Sequence, residues 1–571
     1  MKSTTGKILG SKLWWLWLLL FLFALNFLAS QFHSRFDLTK EKRYTLSGET
    51  RRLLGNLDDN IRIEIFLKGD FPPGFRKLAN STKEFTGLLK DLNGSRVHYK
   101  FISPQDEFPG VPGMRYEDTL AGLGAVPINL TVRVKAGEES KRIYPVALLK
   151  YKDRQALVNL YSGGKRMITP VEINNAEALM EYQFAKTLNA LIHNEKPLIA
   201  YSTGNGEPAD ASSYALRQSL QQDYQLFTFN INQQPVIPDT FKTFIVVKPV
   251  LAFTEEEKFK LDQYVMRGGK LLMFIDGLHA EQDSLGLKPE LIAYDRNLNL
   301  TDILFRYGVR INPDLVMDLQ CDFMPFSVGG TEDKPQYEFL HWNYYPLFES
   351  KGNHAINKNI GLVAGRFVNS IDTIKTAGIK KTPLLYSSGN ARKITTPALI
   401  SPNENRNTPE DSKFKEQAIP VAILLEGKFT SLYKGRTPGA VIDTLKAYGT
   451  PYRESSPDTK MIVVADGDIV LNDYSPKDGP LAMGVNFFTV GSRFEYQFAN
   501  REFLLNCLEY LTGNPDIIET RNKEIVLRQL DAVKIKDQKT TWQLINIVLP
   551  VLIVIFSGWI YQQVRKRKYA A

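Results

Sequence analysis

Residues 254–276 read TEEEKFKLDQYVMRGGKLLMFID. Thr254 with Glu257 three residues on is a capping box, which satisfies two of the free N–H groups at a helix start. The predicted helix runs to Arg267 and stops at Gly268-Gly269. Lys270–Asp276 is then an apolar strand. Upstream, Pro197–Tyr201 reads as a short buried strand, followed by Ser202-Thr203-Gly204-Asn205-Gly206-Glu207. A helix fits 211–222, and strands fit 225–231 and 243–248. Strands alternating with helices predict a parallel, doubly wound α/β sheet over residues 195–310.

Before this unit, Ser47 caps a helix from near Gly48 with Leu53, Leu54 and Leu57 on its buried side. Ile61–Leu67 alternates as a half-buried strand, and Phe71-Pro72-Pro73-Gly74 is a turn. Phe75, Leu78, Phe85, Leu88, Leu89 and Leu92 fall at helical spacing, and Arg96–Ile102 returns as a strand. This β-α-β start opens an N-terminal α/β domain over 31–194, with a Pro- and Gly-rich loop at 103–126 and strands near 127–134, 142–151 and 155–161. Asn174 or Asn175 caps its last helix, which carries Ala176, Leu179, Met180, Phe184, Leu188, Leu191 and Ile192 on one face. Residues 311–512 form a mixed α/β C-terminal part, with strands near 380–386, 418–425 and 461–471, polar loops at 402–415 and 452–459, and a closing helix at 500–511.

The 571 residues are 43% hydrophobic and 23% charged, near globular averages. The pI of about 9.1 invites a nucleic-acid reading. Yet Lys2, Lys7, Lys12, Arg565, Lys566, Arg567 and Lys568 flank two apolar segments, and removing those seven of the 71 basic residues leaves 64 against 62 acidic. The middle is nearly neutral, which is a membrane pattern and not a nucleic-acid one. Residues 13–30 (LWWLWLLLFLFALNFLAS) and 542–561 (WQLINIVLPVLIVIFSGWIY) lack charge. The first spans about 27 Å as a helix, enough for a bilayer core. Cations outside both segments place tails 1–12 and 562–571 in the cytoplasm and the body outside, joined to the second span by a charged linker at 513–541. Leu28-Ala29-Ser30 also fits a signal-peptide cleavage site, the alternative to a first span. Asn26, Gln543 and Asn546 are the polar side chains available for helix–helix hydrogen bonds in lipid.

RFDLT (35–39) with KRYTLS (42–47) after the first span, STGNGE (202–207) after a strand, and YVMRGGKLLMFID (264–276) together resemble the GldG family. These are gliding-motility-associated ABC transporter components of Bacteroidetes-type bacteria, and the resemblance runs from end to end. It implies an inner-membrane protein with a periplasmic body, an auxiliary or substrate-binding subunit beside a permease subunit and a separate cytoplasmic ATPase subunit. It also implies that the central region has a class I glutamine-amidotransferase-like fold, shared with an intraflagellar transport protein.

The chemistry in the chain points away from catalysis. Gly163-Gly164-Lys165 and Gly268-Gly269-Lys270 lack the first glycine and the Ser/Thr of a P-loop, so ATP hydrolysis belongs to a partner. An amidotransferase-type site needs a Cys at a strand-to-helix turn, and 196–310 contains none. Cys321 lies beyond that unit and Cys507 in an apolar helix; a disulfide between them stays open. The alternatives to a transporter subunit are a tethered periplasmic hydrolase or amidase and a structural scaffold of an envelope motility or secretion apparatus. Gly204, Asn205, Gly206 and Glu207 form a turn that is either plain or a ligand or partner contact. His341, Trp342, Asn343, Tyr344 and Tyr345 form an aromatic run, either core packing or a surface for a sugar or a partner. Asp466-Gly467-Asp468 reads as a hairpin turn between apolar strands, the alternative being a cation ligand. The six histidines show no metal-ligand spacing, and no cofactor is expected.

Overall fold

The computed structural model describes residues 14–31, 37, 45–125, 127–134, 137–161, 170–193, 196–282, 290–331, 334–349, 354–358, 360–401, 411–436, 439–513, 517–518, 520–522 and 532–569. The chain divides into two units, Met1–Glu524 and Ile525–Ala571.

In the first unit, helix α1 (Trp14–Gln31) precedes α2 (Gly48–Gly55). The Ser47 hydroxyl caps α2 by accepting from the Thr50 N–H at 3.2 Å. Strand β1 (Ile61–Ile65), helix α3 (Pro73–Leu92) and strand β2 (Val97–Phe101) follow, with the two strands parallel. The 103–126 segment, expected as a loop throughout, contains helix α4 (Tyr116–Gly122). The strand expected over 142–151 is two strands. β3 (Ile128–Val134) and β4 (Gly137–Ile143) pair as a hairpin, and Tyr144-Pro145 separates them from β5 (Val146–Tyr151). Proline has no N–H to continue a ladder, and β5 turns to pair antiparallel with β1 and with β6 (Arg154–Asn159). The sheet order is β2-β1-β5-β6. Helix α5 (Pro170–Ile192) begins ahead of the expected Asn174 or Asn175 cap. Proline suits a first helical turn, and Asn174 lies one turn inside, donating to the Pro170 carbonyl at 2.5 Å. Phe75, Phe85, Phe184 and Leu188 from α3 and α5 bury the sheet face carrying Ile63 and Ile65.

The largest sheet does not respect the expected boundary at residue 310. It takes β7 (Leu198–Thr203), β8 (Gln225–Asn230), β9 (Thr243–Val247) and β10 (Leu271–Phe274) from one side. From the other it takes β11 (Ile379–Tyr386), β12 (Pro420–Thr430) and β13 (Ser455–Val464). The order is β11-β12-β13-β10-β9-β7-β8. The five strands from β13 to β8 are parallel, and β11 and β12 add an antiparallel edge. Alternate residues supply the two faces. Tyr201, Ile245, Phe274 and Val464 face one core with Leu216, Leu220, Leu504 and Leu508 from helices α6 (Tyr214–Asp223) and, further on, α10 (Asn500–Thr512). Phe244, Met273 and Val463 face the other, with Leu261 and Val265 of α7 (Glu255–Met266) and Leu304 of α8 (Thr301–Tyr307). Helix α9 (Gly439–Ala447) lies between β12 and β13 in the chain. The capping box forms: Thr254 Oγ1 accepts from the Glu257 N–H at 3.3 Å, and Glu257 Oε2 accepts from the Thr254 N–H at 2.8 Å. The residues between β10 and β12 outside β11 pair into small sheets, including the long hairpin of Cys321–Thr331 with Lys334–Phe348.

The second unit contains helix α11 (Ala532–Tyr569) with Pro550 inside it. Its Gln538–Arg567 portion has a mean hydropathy of 2.3 in its most apolar stretch, none of it buried, and is long and apolar enough to cross a membrane. In α1 the apolar stretch within the described residues is Leu18–Phe27, shorter than a span.

Candidate functional site

From β7 the chain passes to β8 on one side and then returns to β9 on the other. Such reversals open a crevice at the carboxyl ends of parallel strands, the usual ligand position in open α/β sheets. Four strand ends deliver polar residues to this edge: Gly204–Glu207 after β7, Lys248 after β9, Asp276 after β10, and Asp466-Gly467-Asp468 after β13.

Lys248, at φ 44°, directs its ammonium into a carboxylate cluster. Nζ lies 2.6 Å from Asp468 Oδ1, 2.9 Å from Glu281 Oε2 and 3.1 Å from Asp276 Oδ2. Arg296 holds the other Glu281 oxygen at 2.6 Å. Asp466 accepts from the Arg366 and Asp468 N–H groups, each at 2.8 Å. The Arg366 guanidinium grips Asp473 through two bonds of 2.7 Å and lies over the Tyr345 ring at 5.4 Å. Gly467 is required for close approach, because a Cβ there would sit 2.6 Å from that of Lys248. The expected hairpin turn at Asp466-Gly467-Asp468 is therefore a buried junction at a parallel strand's end. It leads into a 3-10 turn at Asp468–Val470, not into a partner strand.

Burial, reinforced by the Asp276 and Asp468 charges, holds the Asp466 carboxyl well above the usual carboxylate range. Burial also pushes Asp468 up to about 6, against the pull of Lys248. Although burial works against its charge, the surrounding carboxylates raise Lys248, so it stays an ammonium and is no nucleophile. Glu281 is lowered by Lys248 and Arg296 despite its burial. Among the described residues no group of three His, Cys, Asp or Glu is placed to hold a metal ion. The cluster ties strand ends together. A signal for it was present in the sequence: three apolar strands each run directly into a charged residue, at Lys248, Asp276 and Asp466.

The other sequence candidates divide. In the turn after β7, Gly204 and Gly206 take φ of 125° and 79°, while Asn205 and Glu207 are buried. The Asn205 carbonyl accepts from the Val250 and Leu251 N–H groups, its amide donates to Glu257 at 2.9 Å, and Glu207 accepts from the Asn205 N–H at 2.8 Å. Asn205 Oδ1 and Glu207 Oε1 are buried without a hydrogen-bond partner. The turn thus locks β7 to the β9–α7 connection. Trp342, Tyr344 and Tyr345 are fully buried around Phe367, so the expectation of a stacking surface fails for them. Their strand is covered on both faces, which puts consecutive aromatics in the core. His341 alone is exposed, its Nδ1 2.8 Å from the Cys321 carbonyl and its ring against Phe323. Asn26 donates to the Leu22 carbonyl of its own helix at 3.1 Å; Gln543 and Asn546 are exposed on α11. Cys321 and Cys507 are buried free thiols, not a disulfide, and burial raises both. Gly163-Gly164-Lys165 lies outside the described residues.

Beside the cluster, a cleft of about 1070 Å³ opens from Ile275 and Gly277 at the end of β10. Loop 295–302, α8, residues 310–313, the 374–376 turn and the 432–436 turn wall it. Sequence reasoning missed it because its walls come from segments more than a hundred residues apart.

Residues 196–507, which include the large sheet, the cluster and the cleft, match the family described as "ABC-type uncharacterized transport system". Residues 40–150 match a domain of unknown function (DUF7088). An uncharacterized protein of Borreliella burgdorferi is 21% identical over 572 residues, spanning 94% of each chain. Among solved structures, the mmIFT52 N-terminal domain aligns at 12% identity with a TM-score of 0.30, covering 56% of this chain and 98% of its own. The exo-beta-1,4-mannosidase Op5Man5 from Opitutaceae bacterium strain TAV5 aligns at 10% identity with a TM-score of 0.18, covering 75% and 52%. With more than half of its length matched to one family, the chain belongs to the ABC-type uncharacterized transport system family.

Proposed function

We propose that the chain is a membrane-anchored, non-catalytic auxiliary subunit of an ABC transport complex of the gliding-motility type. In this reading α1 and α11 both cross the inner membrane, the two termini are cytoplasmic and the α/β body is periplasmic. A permease subunit supplies the path and a separate ATPase the energy. Asn26, Gln543 and Asn546 are then the residues for hydrogen bonds to permease helices, each worth about 0.5–1.5 kcal/mol. The central sheet is read as a doubly wound, amidotransferase-like fold without a nucleophile.

The observation that carries the proposal is the family match across residues 196–507 in a chain whose α11 is apolar, unburied and long enough to span. A non-catalytic role accords with the chemistry of the strand ends, where Lys248 is held charged and the thiols are buried. The test is purification of the tagged full chain in mild detergent. Co-purification of a multi-span permease and an ATPase in fixed ratio is expected. Their reproducible absence under several mild detergents would reject the reading.

A further inference from the structure

We propose that the cleft beside β10 binds a small solute carrying two or more phosphate or carboxylate groups. The inference concerns the cleft itself and stands whether or not the chain works with a permease.

Arg306, Arg310, Lys375, Lys434 and Arg436 converge on the cleft from four separate segments. Among the described residues the acids in its walls are Asp295 and Asp302. Asp302 is held by Lys258 at 2.7 Å, and Asp295 accepts from the Asn297 N–H at 2.9 Å. Arg310 pairs with Asp372 at 2.7 Å, and Lys434 reaches Glu454 only at 3.9 Å between exposed side chains. Arg306 donates to the Ser431 carbonyl at 3.3 Å. Among the described residues Arg306, Lys375 and Arg436 have no carboxylate partner. Cations gathered in one concavity repel one another, and the field lines focus there. A multiply charged anion relieves that repulsion, and guanidinium forks match the planar or tetrahedral oxygens of carboxylate and phosphate.

Place and size point the same way. The cleft opens at the end of β10, on the carboxyl edge of the parallel sheet and one strand removed from the reversal between β7 and β9, the edge where open α/β sheets take ligands. The volume of about 1070 Å³ is at the upper end for small-molecule sites. Phe305, half-exposed in the wall, offers an apolar face for a carbon skeleton. A polymer is disfavoured because the chain between its basic tails is nearly neutral overall.

The test uses the full chain purified in detergent, with pyrophosphate and citrate as probes and glucose as the neutral control. Calorimetric titration is expected to show binding of one or both anions that weakens with salt, and none of glucose. Pyrophosphate alone would mark the ligand as a phosphate, citrate alone as a carboxylate. The triple variant Arg306→Gln, Lys375→Gln, Arg436→Gln should weaken binding by about tenfold or more. Lys83→Gln, Lys90→Gln, Lys446→Gln, with the same charge removed elsewhere, should change it by less than about twofold. In the parent protein the bound probe should also protect Lys375 from acylation, a readout that does not depend on how the triple variant folds. Absence of anion binding, equal weakening in both variants, or unprotected Lys375 at saturating probe would overturn the proposal.

Discussion

A single ammonium, that of Lys248, meets three carboxylates, Asp276 and Glu281 from the segment after β10 and Asp468 from the segment after β13. Removing one partner of a buried ion pair leaves uncompensated charge and costs about 3–5 kcal/mol. Lys248→Met should accordingly lower the unfolding midpoint of the full chain markedly, while Lys83→Met, on an exposed helix face, should leave it almost unchanged; equal midpoints would mean the cluster contributes little. The same site makes a pH prediction. Asp468 is raised from 3.8 to about 6 in the folded state, and Asp466 also lies above its usual range. Groups raised by folding contribute stability that is present below their unfolded pKa and lost as pH rises through the folded one. Glu281 and Asp473 are lowered and act the opposite way, contributing above their unfolded values and losing that contribution in more acidic solution. From pH 5 to pH 7 the first pair governs, and this cluster's contribution to stability falls. Asp468→Asn should flatten the slope of melting temperature against pH over that interval. An unchanged slope would show that Asp468 does not titrate there.

Among the elements, α7 shows why some of the fold was legible. Thr254 and Glu257 announce its start by local chemistry, and Gly268-Gly269 its end, with no help from the rest of the chain. Thr254→Ala should cost about 1 kcal/mol, read as a lower unfolding midpoint, whereas Thr254→Ser should be near neutral; a full loss in the serine variant would assign the effect to packing of the threonine methyl. Legibility failed where partners are remote. β11, β12 and β13 were visible as strands, but the polar loops around them concealed that they complete a sheet begun at Leu198. For Trp342, Tyr344 and Tyr345 the sequence left core packing and a contact surface both open, and the structure takes the first, because both faces of their strand are covered. Asp466-Gly467-Asp468 had the composition of a turn, and only Lys248, reaching over from the strand beyond its parallel neighbour β10, makes it a junction. Local signals fix caps, breaks and apolar runs; they do not say which strand lies beside which.

For the whole molecule, the proposed membrane anchoring rests on α11. Its 38 residues extend about 57 Å at 1.5 Å per residue, nearly twice a hydrocarbon core of about 30 Å. The charge-free part, residues 542–561, matches that core and leaves Arg565, Lys566 and Arg567 beyond it, continuous with the helix. Trp542 and Tyr561 stand at its two ends, where amphipathic rings favour the interface. Basic residues flanking a span are retained on the cytoplasmic side, so a green fluorescent protein joined after Ala571 should fluoresce. Alkaline phosphatase at the same position should be inactive. Protease added to spheroplasts should meanwhile cut within the body. Replacing Arg565, Lys566, Arg567 and Lys568 together by Gln removes the retention signal while leaving the apolar length intact. The fluorescent fraction should then drop and phosphatase activity appear. If phosphatase joined after Ala571 is already active in the parent chain, the basic end lies outside the cytoplasm and the proposed orientation is wrong, although α11 would still be able to span.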